Sequence, residues 1–129
     1  PLPGSIIALS PWTDLTASGP SYSTNKENDP SMTVQLLDYF AGCYASHRED
    51  PLVSPLFGDL SAMPPSLIFA GGDEIMLSDA QSLHEKLLKA GRRSQLVVKP
   101  ERWHAYVLYG LEENRGRRNQ DQHPTNRKP

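Results

Sequence analysis

The stretch that sets the fold runs Ser66-Leu67-Ile68-Phe69-Ala70-Gly71-Gly72-Asp73-Glu74, continues through Ser78 to Gly91, and closes on Ser94-Gln95-Leu96-Val97-Val98-Lys99. Leu67 to Ala70 is a short, unbroken apolar run, delivered in extended form by Pro64-Pro65 and stopped by two glycines. Such a run suits a strand buried on both faces, as in a parallel sheet. Ser78, with Gln81 three residues on, reads as a capping box at the start of a helix. Ala80, Leu83, Leu87 and Ala90 give that helix an apolar stripe, and Gly91 supplies its stop. Leu96-Val97-Val98 makes another strand, halted by Pro100. Strand, glycine turn, helix and strand within ~30 residues is the size of a βαβ unit, whose two strands run parallel.

Working outward, Gly4 to Leu9 is another continuous apolar run, bounded by Pro3 and by Ser10-Pro11. Residues 10–30 shift to Ser, Thr, Asn, Asp, Gly and Pro and read as a long irregular connection. A helix is predicted from Ser31 to about Tyr44, with Val34, Leu37, Phe40, Ala41 and Tyr44 at helical spacing. Asp50 to Leu56 is a Pro-punctuated extended segment, and Ala105 to Leu111 could begin a last helix. The expected architecture is α/β, with three parallel strands near 4–9, 66–70 and 94–99 and helices packed on them.

Composition narrows the function classes. The 129 residues carry 13 Lys plus Arg against 15 Asp plus Glu, a net charge of −2, which argues against a dedicated nucleic-acid binder. Residues 112–129 hold no aliphatic side chain and are expected to form a polar, disordered tail beyond a domain of residues 1–111. No apolar run approaches the ~20 residues of a membrane-spanning helix. A single cysteine, Cys43, excludes an internal disulfide and a multi-thiolate zinc site. Pro1 opens the chain without a basic region or a long apolar segment, so no signal peptide is visible and a cytoplasmic location is expected. The strand-like run that follows so closely reads as cut from something longer.

Chemistry in parallel sheets gathers at the carboxyl ends of the strands. Two such ends carry titratable groups: Gly71-Gly72-Asp73-Glu74, and Pro100-Glu101-Arg102-Trp103-His104. With adjacent strands, Asp73 and His104 would share one edge as a carboxylate–imidazole pair. In such a pair the acid fixes the tautomer of a ring that takes a nucleophile's proton. A plainer reading stands beside it: an Asp after Gly-Gly is often a turn residue or helix cap, and His104 an ordinary loop histidine.

Four motifs then fall in register. They are Ser10-Pro11-Trp12-Thr13-Asp14-Leu15-Thr16, the run from Asp50-Pro51-Leu52-Val53-Ser54-Pro55-Leu56 to Leu60, the run from Pro64 through Gly71-Gly72-Asp73-Glu74-Ile75-Met76-Leu77, and Trp103-His104. In this order they resemble the C-terminal part of an α/β-hydrolase of the hormone-sensitive-lipase esterase family, from about Leu2 to Tyr109. The resemblance implies a serine-type carboxylesterase or lipase with Asp73 as triad acid and His104 as general base, 31 positions apart. It implies no metal or organic cofactor. The family's Gly-x-Ser-x-Gly nucleophile elbow and His-Gly-Gly oxyanion loop occur nowhere in the 129 residues. The chain alone is therefore expected to be inert as an esterase. Its open edge at residues 4–9 is expected to pair with a second copy or with a missing N-terminal half.

Glu74 and Asp79 compete for the acid role, but Glu74 is expected to face the turn and Asp79 to favour a helix dipole. Trp103 and Tyr106 flank the base and could line an ester pocket or simply cover the sheet edge. Cys43 is expected to be a buried, inert thiol and His84 a packed helix residue. Asp14 and Asp50 are expected to fix loops. No two histidines have metal-ligand spacing, so no metal site is expected. The rival from another class is a non-catalytic α/β binding module in which Gly71-Gly72 cradles an anion, disfavoured by the acidic pair that follows. A third possibility is a truncated product with no role of its own.

Overall fold

The computed structural model describes residues 1–109; the expectations for 112–129 lie outside them. Three parallel strands, β1 (Ile6–Leu9), β2 (Ser66–Gly71) and β3 (Ser94–Lys99), form one sheet in the order β1-β2-β3. Ile6 pairs with Ser66 and Leu9 with Phe69; Ser66 pairs with Ser94 and Gly71 with Lys99. The irregular connection after β1 contains a single helical turn, α1 (Ser21–Thr24), and is followed by α2 (Val34–Tyr44) and by a 3-10 turn at Pro55–Phe57. The helix α3 (Leu77–Lys89) joins β2 to β3.

The alternation of a strand decides what each face does. Ile68, Ala70 and Leu96 point to one side with Ala8, where Ala80, Leu83 and Leu87 of α3 cover them in the main core. Ile7, Leu9, Leu67, Phe69 and Val97 belong to the opposite side. None of these five is fully buried, and Ile7 is 68% exposed. A parallel sheet normally has both faces covered.

Several element boundaries differ from expectation. The helix expected from Ser31 begins at Val34, because the Thr33 side chain accepts the Leu36 N–H and caps it there. Asp29 meanwhile takes the N–H groups of Ser31 and Met32 in a turn. Ser78 is not a helix cap. It lies inside α3, and its backbone N–H and hydroxyl pair reciprocally with Ser21, each at 2.8 Å. Gly19 is required at that crossing, since a Cβ there would fall within the Ser78 side chain. Where a last helix was expected to begin, the described residues form a 3-10 turn, Tyr106–Tyr109. Cys43 is exposed rather than buried, because α2 turns only Leu37 and Ala41 fully inward.

Candidate active site

The ends of all three strands meet at one edge. Beyond β3 the chain folds back over the end of β2: Gly72 N–H donates to Lys99 O at 2.8 Å and Asp73 N–H to Arg102 O at 3.0 Å. The two glycines permit this. A Cβ on Gly71 would collide with Arg102 O and lie 2.7 Å from Trp103 O, and one on Gly72 would lie 3.2 Å from Pro100 Cα. Gly71-Gly72 is therefore packed by the histidine loop, with carbonyl oxygens facing it. That surface repels an anion, which removes the physical basis of the anion-cradling alternative.

The carboxylate set against His104 belongs to Glu74. His104 Nδ1 lies 3.7 Å from Glu74 Oε1. Both atoms are buried, and neither has a hydrogen-bond partner. Glu74, expected to face the turn, is fully buried with its carboxylate toward His104. Its other oxygen, Oε2, accepts the Ser10 hydroxyl at 2.7 Å and the Gly71 N–H at 2.8 Å. Asp73, the expected acid, is half-buried on the turn, and its side chain makes no hydrogen bond or ion pair among the described residues. The reason lies in the fold-back: the turn that closes over Gly71 directs the residue after Asp73, not Asp73 itself, beneath the strand ends.

Loop residues outside the strands hold this acid turn. Asn25 Nδ2 donates to Gly72 O at 3.0 Å and Glu74 O at 2.9 Å. Asp29 accepts the Ile75 N–H at 2.8 Å, and the Ser21 hydroxyl donates to Ile75 O. Asp79, 1% exposed, accepts the N–H groups of Thr13 and Asp14, each at 2.8 Å, and the Tyr22 hydroxyl at 3.0 Å. Burial pushes its carboxyl up to about 6 despite these donors. Asp14 is also buried, but the Ser18 and Thr16 side chains and N–H groups outweigh that burial and hold its carboxyl below the usual range. Asp50 accepts the Leu52 N–H at 2.8 Å, and His84 Nδ1 pairs with Ser94 Oγ at 2.8 Å.

Trp103 and Tyr106 are half-buried around His104. Burial pushes the Tyr106 phenol up; Arg102 opposes this and the Glu74 carboxylate adds to it. Three non-glycine residues of this edge, Ser10, Glu101 and Ala105, have left-handed backbone with φ of 45°, 55° and 56°. Strain of this kind persists where surrounding structure over-determines it, often at functional sites. Among the described residues no helix is long and apolar enough to cross a membrane, and no three His, Cys, Asp or Glu are grouped to hold a metal ion.

Sequence reasoning missed Ser10, Asn25 and Asp29. Ser10 could have been found, since it is the first residue past the carboxyl end of a predicted strand. Asn25 and Asp29 act across more than 40 positions of sequence, and no local pattern marks them.

A parallel sheet whose strand ends converge on a buried carboxylate and an imidazole is the arrangement of an α/β hydrolase. Residues 1–108 match the alpha/beta hydrolase fold family, and the chain belongs to it. It is 36% identical over 111 residues to an acetyl-hydrolase of Streptomyces hygroscopicus and 30% identical over 111 residues to an esterase of Acinetobacter venetianus. Each alignment covers 84% of this chain and 37% of the relative. A solved esterase of the bacterial hormone-sensitive lipase family superposes with a TM-score of 0.85 at 34% identity, covering 92% of this chain and 41% of that one. The chain thus spans little more than a third of the length of the curated relatives it matches, and its family is one of carboxylesterase- and lipase-type hydrolases.

Proposed function

We propose that this chain contributes the acid and base of a serine-esterase proton relay, with His104 as general base and Glu74, in place of Asp73, as the acid. The single observation that carries the reading is the pair of buried, otherwise unpartnered atoms, His104 Nδ1 and Glu74 Oε1, facing each other at 3.7 Å. A buried polar atom without a partner costs about 1–3 kcal/mol, and a hydrogen bond between these two would satisfy both. Catalytic hydrogen bonds are often long in the absence of substrate and tighten when it binds.

With Nδ1–H held by Glu74, the ring's Nε2 is left to take the proton of an attacking serine hydroxyl. His104 then passes that proton to the leaving alcohol, and in the second half takes one from water to release the acid. Glu74 stays ionised and stabilises the imidazolium. The substrate is a carboxylic ester, and Trp103 and Tyr106 border its site. The nucleophile and oxyanion donors come from polypeptide other than these 129 residues, which hold no Gly-x-Ser-x-Gly. That polypeptide seats on the edge of β1 and on the face of Ile7, Leu9, Leu67, Phe69 and Val97. It is the remainder of a longer protein; for the chain on its own, a second copy takes the same seat without supplying a nucleophile.

Hydrolysis of p-nitrophenyl butyrate tests the reading. The chain alone is expected at the buffer background, because loss of the nucleophile costs several orders of magnitude. Robust hydrolysis abolished by His104→Ala, yet by no single serine substitution, would overturn this account of the nucleophile.

A further inference from the structure

We infer that Ser10 is a positioning residue whose one hydroxyl aims the Glu74 carboxylate and anchors the histidine loop at the same time. The inference rests on the reading of Glu74 and His104 as acid and base, and concerns how they are held. Ser10 Oγ donates to Glu74 Oε2 at 2.7 Å and accepts the Ala105 N–H at 2.8 Å. A hydroxyl has one proton, and the Ala105 amide can only donate, so the direction of this chain of bonds is forced. It runs from Ala105 N–H to Ser10 Oγ–H to Glu74 Oε2.

Geometry gives each bond a task. Glu74 has three side-chain torsions, and a lone ion pair to His104 would leave the carboxylate free to turn. Two donors on Oε2, from Ser10 and Gly71, lock that oxygen and aim Oε1 at the ring. Ala105 directly follows His104, so the Ser10 bond to its amide fixes the backbone from which the imidazole projects. One side chain at the end of β1 therefore ties the end of β2 to the loop after β3.

The backbone supports a specific role for this side chain. Ser10 is 5% exposed and sits at φ 45°, a left-handed conformation that L-residues rarely adopt. Glycine would occupy it without penalty. Ala105, at the other end of the bond, is left-handed too, with φ 56°. The two strained residues face each other across the hydroxyl that joins them.

The experiment reads the tautomer of neutral His104 by ring-nitrogen NMR on the full 129-residue chain, with no dependence on turnover. In the parent the Nδ1–H form is expected to dominate, because Nδ1 faces a carboxylate. Glu74→Gln should erode that preference and Asp73→Asn should not. Ser10→Gly, which suits the φ of 45° while removing the hydroxyl, should erode it comparably with Glu74 intact. Ser10→Cys, a weaker donor of similar size, should restore part of it. An eroded preference in Glu74→Gln with a parent-like tautomer in folded Ser10→Gly and Ser10→Ala would overturn the positioning role and leave the acid assignment standing. A parent-like tautomer in Glu74→Gln would overturn the acid assignment itself. Loss of the native amide spectrum in both Ser10→Gly and Ser10→Ala would also count against the inference, making the hydroxyl a requirement of the fold and not of ring placement.

Discussion

Replacing Asp79 by Asn should stabilise the protein at neutral pH and leave its stability almost unchanged in acid. The carboxylate sits at 1% exposure, facing the Asp14 carboxylate and the Tyr22 phenol, with Thr13 and Asp14 N–H groups on one oxygen. Burial pushes its carboxyl from 3.8 up to about 6, a balance that already includes its hydrogen bonds. Between those values the folded state holds a proton that the unfolded state has released. Stability therefore falls as pH rises through this window and stays depressed above it. A displacement of about two pH units corresponds to about 3 kcal/mol at 1.36 kcal/mol per unit. Asn mimics the neutral acid: its oxygen still accepts from Thr13 and Asp14, and its amide donates to the Tyr22 oxygen. Urea unfolding at pH 4 and pH 7.5 checks this. Asp79→Asn should match the parent at pH 4 and exceed it by about 1–3 kcal/mol at pH 7.5. Asp79→Ala, which orphans two backbone donors and the phenol, should fall about 4 kcal/mol below Asp79→Asn. A parent and an Asn variant that share the same pH slope would refute the reasoning, since burial could not then be the dominant cause.

Three further outcomes are expected. Gly71→Ala drives a Cβ into Arg102 O, so it should displace the histidine loop, lower stability by about 3 kcal/mol, and shift the amide resonances of residues 100–105; a parent-like spectrum would contradict the close approach. Leu87→Ala removes a fully buried side chain between α3 and the sheet and should cost about 2–5 kcal/mol in urea unfolding. Size-exclusion with light scattering should find the chain self-associated, and Ile7→Glu, placed on the open face, should shift it toward monomer. A parent that is a stable monomer at all dilutions would count against the uncovered face as a seat for other polypeptide.

The fold was legible wherever one signal repeated locally. Leu67 to Ala70 and Leu96 to Val98 announce strands by their own composition, and Ala80, Leu83 and Leu87 announce a helix by their spacing. Boundaries were lost where a side chain from far away decides them. Ser78 has the letters of a helix cap, but Ser21, 57 positions earlier, takes its hydrogen bonds. The site was legible as a place, but not which carboxylate lies against the ring. The strand ends bring Gly71-Gly72 and Trp103-His104 together, yet choosing between Asp73 and Glu74 depends on which side of a tight turn each faces. That is a matter of one peptide unit, and no hydrophobic period extends through a turn to settle it.

The geometry of the turn supports the proposal of Glu74 as the acid. The histidine loop lies directly on Gly71, so any carboxylate reaching the imidazole must pass beneath it. Asp73 spends its backbone N–H on Arg102 O and so takes part in the fold-back that covers the site. Glu74 is the first residue past that cover, and its backbone carbonyl is held by Asn25. Its longer side chain spans the gap to a position where Gly71 N–H and Ser10 Oγ–H converge on one oxygen while the other faces the ring. An aspartate at 74 would be one methylene short and could satisfy the two donors or approach His104, but not both. On the proposed assignment, reach and not charge distinguishes the two adjacent carboxylates: Glu74 is fully buried against His104, and Asp73 is half-buried on the turn.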